Sequence, residues 1–212
     1  MRHVVLGLTN TIVHGAMSSP PDGLPSLTAD YFQFFGLERK LQIDVEDLQK
    51  RFYSLSRQLH PDRFTRKPPQ EQQYSLDATA LLNDAYRVLR EPVKRAEYLL
   101  GQEGFDIGEQ RSKDVPPELL EEVFELNMAL EEMREGDESA RPQLVEARTH
   151  FVGMREDIDA ELLQLFAKYD TTGDREVLTS MRGLLNRRRY IRNLVAEVEK
   201  SLSSGEPVAV TQ

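Results

Sequence analysis

The chain contains no cysteine and no tryptophan among its 212 residues. Without thiols it can form no disulfide, use no thiol as a nucleophile and hold no zinc ion or iron–sulfur cluster through cysteine. A chain without cysteine also fits a reducing compartment, which is one reason to expect a cytoplasmic protein.

Long apolar segments and an excess of positive charge are missing as well. No stretch reaches the ~18 consecutive apolar residues that a membrane-spanning helix requires. Lysine and arginine number 27 against 36 aspartate and glutamate residues, which gives a formal net charge of -9. Because binding to phosphates requires a basic surface, this balance argues against nucleic acid as the main partner. We therefore expect neither a membrane nor a nucleic-acid partner.

Glycine is sparse too, with 12 residues, and the leucine, glutamate, arginine and alanine content favours helices over strands. Apolar residues recur at spacings of three and four, which predicts amphipathic helices at about 45–59, 70–89, 118–133, 144–169 and 177–202. Short helices are expected within 30–37 and 93–100. The sequence therefore predicts an all-α fold, in which an antiparallel helical hairpin with short helices precedes a three-helix bundle.

Segments rich in proline, glycine and polar residues divide the chain into domains. One precedes residue 29, and another follows the short helix predicted at 93–100. We interpret the chain as a disordered leader (1–28), an N-terminal domain (29–102), a linker (103–115), the three-helix bundle (116–204) and a tail (205–212).

The run Leu59-His60-Pro61-Asp62-Arg63-Phe64 marks the turn of the predicted hairpin. Pro61 fixes its own φ and disfavours helical geometry at His60, so the first long helix has to end here. Between Lys50 and Lys67, six basic residues stand against one acidic residue, a local charge of +5 in an acidic chain. Such a reversal favours contact with an acidic partner surface. From the residues alone, a solvated helix face with an ordinary turn explains the pattern about equally well.

A basic helix that ends in His-Pro-Asp, followed by a loop and an antiparallel helix, resembles the J-domain of Hsp70 co-chaperones. In that family, the tripeptide and the basic face of the preceding helix bind the ATPase domain of Hsp70 and promote ATP hydrolysis. The resemblance implies that His60, Pro61 and Asp62 contact Hsp70. Further basic residues are assigned to the same contact as members of the basic face: Lys50, Arg51, Arg57 and Arg63.

Four further segments carry a more specific resemblance through their order and spacing along the chain. They are Asp30-Tyr31-Phe32-Gln33-Phe34-Phe35-Gly36-Leu37, Asn83-Asp84-Ala85-Tyr86-Arg87-Val88-Leu89, Arg95-Ala96-Glu97-Tyr98-Leu99-Leu100 and Gly104-Phe105-Asp106. With the turn, they resemble the HscB type of J-protein, which serves iron–sulfur cluster biogenesis and has an all-helical C-terminal domain. This resemblance implies an L-shaped protein with two partners, an HscA-like Hsp70 and an IscU-like iron–sulfur scaffold protein. Because eukaryotic relatives can carry a cysteine-based metal-binding module, the lack of cysteine favours a bacterial-type, cytoplasmic member.

The helix predicted at 118–133 carries a second apolar set beside its buried stripe. Leu120, Phe124 and Met128 lie about 100–180° around the helix from that stripe, at ~100° per residue. Glu121 and Glu125 flank them. An exposed apolar strip edged with carboxylates is typical of a protein-binding face. From sequence alone, packing against a neighbouring helix explains the set equally well.

In the HscB-type family, this face of the first C-terminal helix binds the iron–sulfur scaffold protein. The resemblance therefore implies scaffold contacts for five residues: Leu120, Glu121, Phe124, Glu125 and Met128. Two places depart from the family's pattern, since Asn127-Met128 stands where many relatives have Arg-Glu, and Glu121 replaces a common apolar residue.

The function implied by the resemblance is that of a non-enzymatic co-chaperone that delivers a scaffold client and triggers ATP hydrolysis by Hsp70. A J-protein for a different client, or a helical adaptor without Hsp70 activity, are the alternatives. A hydrolase using His60 and Asp62 as an acid–base or metal pair is poorly supported. No orienting group, nucleophile or further metal ligand stands near that pair in sequence.

Two other groups of residues could in principle form sites. The remaining histidines (His3, His14 and His150) are too scattered in sequence to suggest a metal site, so we expect no metal and no cofactor. The cluster Arg187-Arg188-Arg189 is expected to form ion pairs between helices or a solvated face.

Overall fold

The computed structural model describes residues 20–21, 23–105 and 117–204. Most of the predicted leader and linker, and the whole predicted tail, lie outside the described residues. Every regular element in the described part is helical and none is a strand, so the predicted all-α fold is confirmed. The described residues form two compact units, one taking in those up to Arg39 with Val45–Arg87, the other Lys40–Asp44 with those from Val88 onward. The predicted domain limits stay a prediction.

The first unit is built on two long helices, α2 (Val45–Leu59) and α3 (Pro69–Leu89), preceded by the short α1 (Tyr31–Phe34). In the sequence, Gly36 is the residue expected to end the short helix within 30–37, and it does adopt a left-handed φ of 63°, which favours glycine. The helices α2 and α3 run antiparallel. Leu59 lies beside Ser75 of α3, while the ring of Phe52 stacks on Tyr86 with their centroids 4.3 Å apart.

Spacings of three and four residues predict one buried apolar stripe on α2, made of Val45, Leu48, Phe52, Leu55 and Leu59. Most of this stripe is buried. Leu48 and Leu59 are fully buried, and Phe52 and Leu55 are half-buried. Val45 is exposed, so its predicted place in the buried stripe is wrong. The physical reason is the antiparallel pairing, since α3 ends before it would reach the first residue of α2.

The second unit contains α4 (Pro92–Gln102), α5 (Leu120–Arg134), α6 (Arg141–Thr172) and α7 (Arg175–Ser204). The last three helices contact one another pairwise and form the predicted three-helix bundle, while α4 packs on α7. Gly173, with a left-handed φ of 64°, ends α6. The bundle core is apolar throughout and includes Leu126, Leu130, Leu144, Phe151, Ile158, Leu162, Phe166, Met181, Ile191 and Val198.

The arginine cluster of α7 forms ion pairs with neighbouring helices, as predicted. Arg188 binds the carboxylate of Asp159 on α6 through two nitrogens, and its Nη2–Oδ2 distance is 3.0 Å. Arg189 binds Glu97 on α4 at 2.9 Å. Two of the three arginines are thus bonded to carboxylates on neighbouring helices of the second unit.

Arg95 is a buried charged residue that holds the segment Lys40–Asp44 in the second unit. Its Nε–H donates to the carbonyl of Leu41 at 2.7 Å, and its Nη1–H donates to the carbonyl of Leu89. From the other side, the carboxylate of Asp170 accepts the backbone N–H groups of Leu41 and Gln42, both at 2.7 Å. Burial lowers the pKa of the Arg95 guanidinium, and the charge of Asp170 opposes that shift. The segment is thereby bonded through both its carbonyl and its amide groups.

Replacing Arg95 with methionine is expected to lower the free energy of unfolding by about 3 kcal/mol, because buried carbonyls lose their donors. Chemical denaturation followed by circular dichroism measures this loss. The matched control is Arg90→Met, in which the lost side chain is exposed, and we expect it to change the free energy by less than about 0.5 kcal/mol. Equal effects of the two substitutions would contradict a structural role for the Arg95 guanidinium.

Candidate functional site

The His-Pro-Asp run lies in a tight turn directly after α2. His60 leaves the helix with φ -57° and ψ 130°, the extended geometry that a following proline favours, and Pro61–Arg63 forms one 3-10 turn. The N–H of Arg63 donates to the carbonyl of His60 at 2.9 Å, and the N–H of Phe64 donates to that of Pro61 at 2.9 Å. The buried ring of Phe64 anchors the turn to the first unit.

The side chains of His60 and Asp62 project into solvent at this turn. Their exposed fractions are 56% and 86%. The Nδ1 atom of His60 accepts the backbone N–H of Asp62 at 3.3 Å and lies 3.5 Å from the Oδ2 atom of Asp62. The predicted exposed polar tip is therefore present, with the imidazole and the carboxylate side by side.

The carbonyl groups at the end of α2 find donors outside the regular helix pattern. The Arg57 carbonyl would normally accept the N–H of residue 61, but Pro61 has none, and the Arg63 Nη1–H donates to that carbonyl at 3.5 Å. The carbonyl of Leu59 accepts two hydroxyl donors from α3, namely Ser75 Oγ–H at 2.6 Å and Thr79 Oγ1–H at 3.2 Å.

The sequence pattern did not point to Ser75 or Thr79 as functional residues. One signal could have found the first of them. Ser75 precedes Ala78 by three residues and Leu82 by seven, so it shares the buried face of α3, where a polar side chain needs a partner.

The predicted basic contact residues lie along α2 and the turn. Lys50, Arg57 and Arg63 are exposed. Lys50 precedes His60 by ten positions, or about 15 Å at ~1.5 Å per residue. These residues therefore form an elongated basic surface that leads along α2 to the tip, and they do not form a compact cluster.

Arg51 differs from the other basic residues because its guanidinium is tied into the first unit. Its Nε–H donates to Asp47 at 2.7 Å, and its Nη1–H donates to the carbonyls of Phe35 and Gly36 at 3.1 Å and 2.9 Å. The residue thus connects α2 to the end of α1. Its contact with Hsp70 stays a prediction, and a substitution there would also disturb the local fold.

The second predicted site is a row of apolar side chains on α5. Leu120, Phe124 and Met128 are 55%, 65% and 51% exposed, and they follow one another at intervals of four residues. Glu121 and Glu125 beside them are exposed as well. We call these five residues the α5 strip. Within the described part of the second unit, no neighbouring helix covers these apolar side chains, which favours the exposed strip over packing against a neighbouring helix.

A groove of about 430 Å³ lies between α5 and α6 and shares Glu125 with the α5 strip. Its rim carries the carboxylates of Glu122 and Glu146 together with His150. The groove is therefore acidic on balance, and it extends the negative border of the strip. Among the residues that the structure describes, no group of three or more His, Asp or Glu side chains could hold a metal ion. Within the same residues, no helix is long and apolar enough to span a membrane.

Comparison with known proteins links both units to described families. The family model of the DnaJ domain matches residues 30–98, and that of the HSCB C-terminal oligomerisation domain matches residues 115–199. The solved structure of chaperone HscB from Vibrio cholerae is 26% identical, with a TM-score of 0.58, and the match covers 83% of this chain and 99% of that one. The human co-chaperone protein HscB has the same identity and TM-score, and the match covers 84% of each chain.

An exposed His-Pro-Asp turn between two antiparallel helices, within a matched DnaJ domain, defines a J-domain protein. The second matched domain specifies the type. The chain belongs to the HscB-type J-domain co-chaperones, the branch associated with iron–sulfur cluster assembly.

Proposed function

We propose that the chain stimulates ATP hydrolysis by an HscA-like Hsp70 through His60, Pro61 and Asp62, and delivers an IscU-like iron–sulfur scaffold protein through the α5 strip. The exposed tip at the end of a basic helix, in a chain of this family, is the observation that carries the proposal. The chemistry then occurs in Hsp70, and the chain itself has no turnover. As a bacterial-type member, it would act in the cytoplasm.

The charge of the first site supports a partner with an acidic surface. Lys50, Arg57 and Arg63 are exposed along the approach to the tip, and exposed charges of one sign raise the rate of encounter with a surface of the opposite sign. The tip then supplies directional groups, since a carboxylate accepts hydrogen bonds and an imidazole can donate or accept them. Encounter and recognition are thus assigned to different residues.

The α5 strip supports a client with an apolar patch bordered by basic residues. Its three apolar side chains are each more than half exposed, and burying them against a partner would gain about 25 cal/mol per Å² of apolar surface. The carboxylates of Glu121 and Glu125 disfavour an acidic partner and favour a basic one. The acidic groove beside them has the same preference.

One observation favours a second candidate, a J-protein with a different client. Glu121 is exposed where many relatives have an apolar residue, and Met128 is exposed where many have a glutamate. Both exchanges lie within the α5 strip, so they alter its pattern of polar and apolar contacts without removing its apolar character. A client other than the scaffold would leave the Hsp70 site unchanged.

The two proposed sites lie on different units of one chain. Joining two binding modules by a short linker raises the effective concentration of one partner near the other. A scaffold bound at the α5 strip would therefore reach Hsp70 more often than free scaffold does.

The ATPase rate of an HscA-like Hsp70, measured with the chain, with the scaffold and with both, tests the proposal. We expect stimulation by the chain alone and a further, more than additive increase with both proteins. If the chain stimulates Hsp70 but neither binds the scaffold nor shows a further increase when the scaffold is added, a J-protein with a different client is favoured. No stimulation of any candidate Hsp70 would leave a helical adaptor, and nucleotide or ester turnover by the chain alone would support a hydrolase.

A further inference from the structure

The carbonyl of Leu59 is the last helical carbonyl before the tip, and the backbone of the turn supplies no donor to it. In a continuing α-helix it would accept the N–H of Arg63. In this turn, that N–H donates to the carbonyl of His60, and the N–H of Asp62 donates to the His60 imidazole. Leu59 is fully buried, so its carbonyl needs a partner from elsewhere in the protein.

Two hydroxyls of α3 meet this need. Ser75, itself fully buried, donates at 2.6 Å, and Thr79, one helical turn further on, donates at 3.2 Å. Because the Leu59 carbonyl and the His60 N–H belong to one planar peptide unit, fixing the carbonyl also fixes the direction in which His60 leaves the helix. Two donors on successive turns of α3 restrain that plane better than one.

We propose that Ser75 and Thr79 are positioning residues for the stimulation of Hsp70. They fix the Leu59–His60 peptide plane and thereby orient His60, Pro61 and Asp62. This inference rests on the proposed function of the tip. The two hydroxyls do not touch Hsp70 in this proposal. They act through Leu59, and they make the geometry of the tip depend on the register between α2 and α3.

The loss of these hydroxyls should affect the two parameters of stimulation differently. The exposed basic residues of α2 remain in place in such variants, so the concentration that gives half-maximal stimulation should change by less than about twofold. A displaced tip lowers the maximal stimulation instead, and we expect a decrease of about threefold or more, since small misplacements of a functional group have large effects.

The variants to compare are Ser75→Ala, Thr79→Val, the double variant and Thr79→Ser. Thr79→Val keeps the shape and loses the donor, whereas Thr79→Ser keeps the donor and loses the methyl group. Maximal stimulation should fall in the first three variants, most in the double variant, and should be retained by Thr79→Ser. In the variants without the donors, the ¹³C resonance of the Leu59 carbonyl should move upfield, because that resonance reports on hydrogen bonding to the carbonyl.

Tyr74→Phe is the matched control for a merely structural role. It removes a hydrogen bond of equal length, 2.6 Å, from the hydroxyl of Tyr74 to the carbonyl of Pro25. Tyr74 directly precedes Ser75 on α3, but its hydroxyl bonds to Pro25 and not to the end of α2. Tyr74→Phe should lower the unfolding free energy by a similar amount to Ser75→Ala and leave the maximal stimulation unchanged.

Three outcomes would overturn the inference. They are full stimulation by the double variant, equal losses in Thr79→Ser and Thr79→Val, and an equal loss in Tyr74→Phe. If His60→Gln nevertheless abolishes stimulation, the proposed function stands and only the positioning role fails. Full stimulation by His60→Gln would instead remove the proposed function of the tip.

Discussion

Replacing His60 with glutamine should abolish the stimulation of Hsp70 and leave the protein folded. The imidazole is 56% exposed at the end of α2, and its hydrogen bond to the N–H of Asp62 can be replaced by a glutamine oxygen. We therefore expect the unfolding free energy to change by less than about 0.5 kcal/mol. Steady-state ATPase rates over a range of co-chaperone concentrations, together with circular dichroism, measure both quantities.

Gln58→Ala provides a matched control for this experiment. Gln58 is also exposed at the end of α2, two positions before His60, and its side chain bonds to Ser54 within the same helix. Stimulation should be normal in that variant. A His60→Gln protein that stimulates Hsp70 as well as the parent chain would contradict the function proposed for the tip, whatever the behaviour of the control.

Replacing Phe124 with alanine should weaken scaffold binding about tenfold or more, which corresponds to at least about 1.4 kcal/mol. The ring is 65% exposed and lies between Leu120 and Met128 in the centre of the α5 strip. Central aromatic side chains commonly contribute most of the energy of an interface. Because the ring is outside the core, helical content should be unchanged, and titration calorimetry with the isolated scaffold gives the change in affinity.

Val145→Ala is the corresponding control, since Val145 is a 48% exposed apolar residue on α6 of the same unit and lies outside the α5 strip. Scaffold binding should be unaffected there. Unfolding of Phe124→Ala would mean that the ring supports the bundle. Unchanged affinity with an intact fold would direct the search for the client site to another surface.

The helices were predictable where the apolar period is regular and the partner helix spans the whole segment. Leu48 and Leu59 followed the period and are buried, whereas Val45 followed it and is exposed. On α6, the apolar period predicts that Leu165 follows Leu162 on the buried stripe, but Leu165 is half-buried and Phe166 is buried instead. Over the 32 residues of α6, the buried face shifts around the helix because a helical turn holds 3.6 residues and not a whole number.

The two candidate sites differ in how much the sequence could reveal. The position of Phe124 away from the buried stripe followed from an angle around one helix, which is a local property, whereas its exposure did not. The partners of Arg95 and Ser75 did not follow, because both bond to backbone carbonyls brought near by folding, at Leu41 and Leu59. Every residue has a carbonyl, so the residue types at positions 41 and 59 do not show that these two carbonyls need a side-chain donor.

The bonds between Asp170 and the N–H groups of Leu41 and Gln42 also set an order of events during synthesis. Leu41 and Asp170 are 129 positions apart, whereas Arg95 follows Leu41 by 54. At about 10 residues per second, Asp170 leaves the ribosome more than about ten seconds after Leu41. Until then, these two N–H groups lack their carboxylate acceptor, and of these bonds only the one from Arg95 to Leu41 can form. We therefore expect the segment Lys40–Asp44 to resist protease less in a nascent chain that ends before Asp170 than in one that includes it.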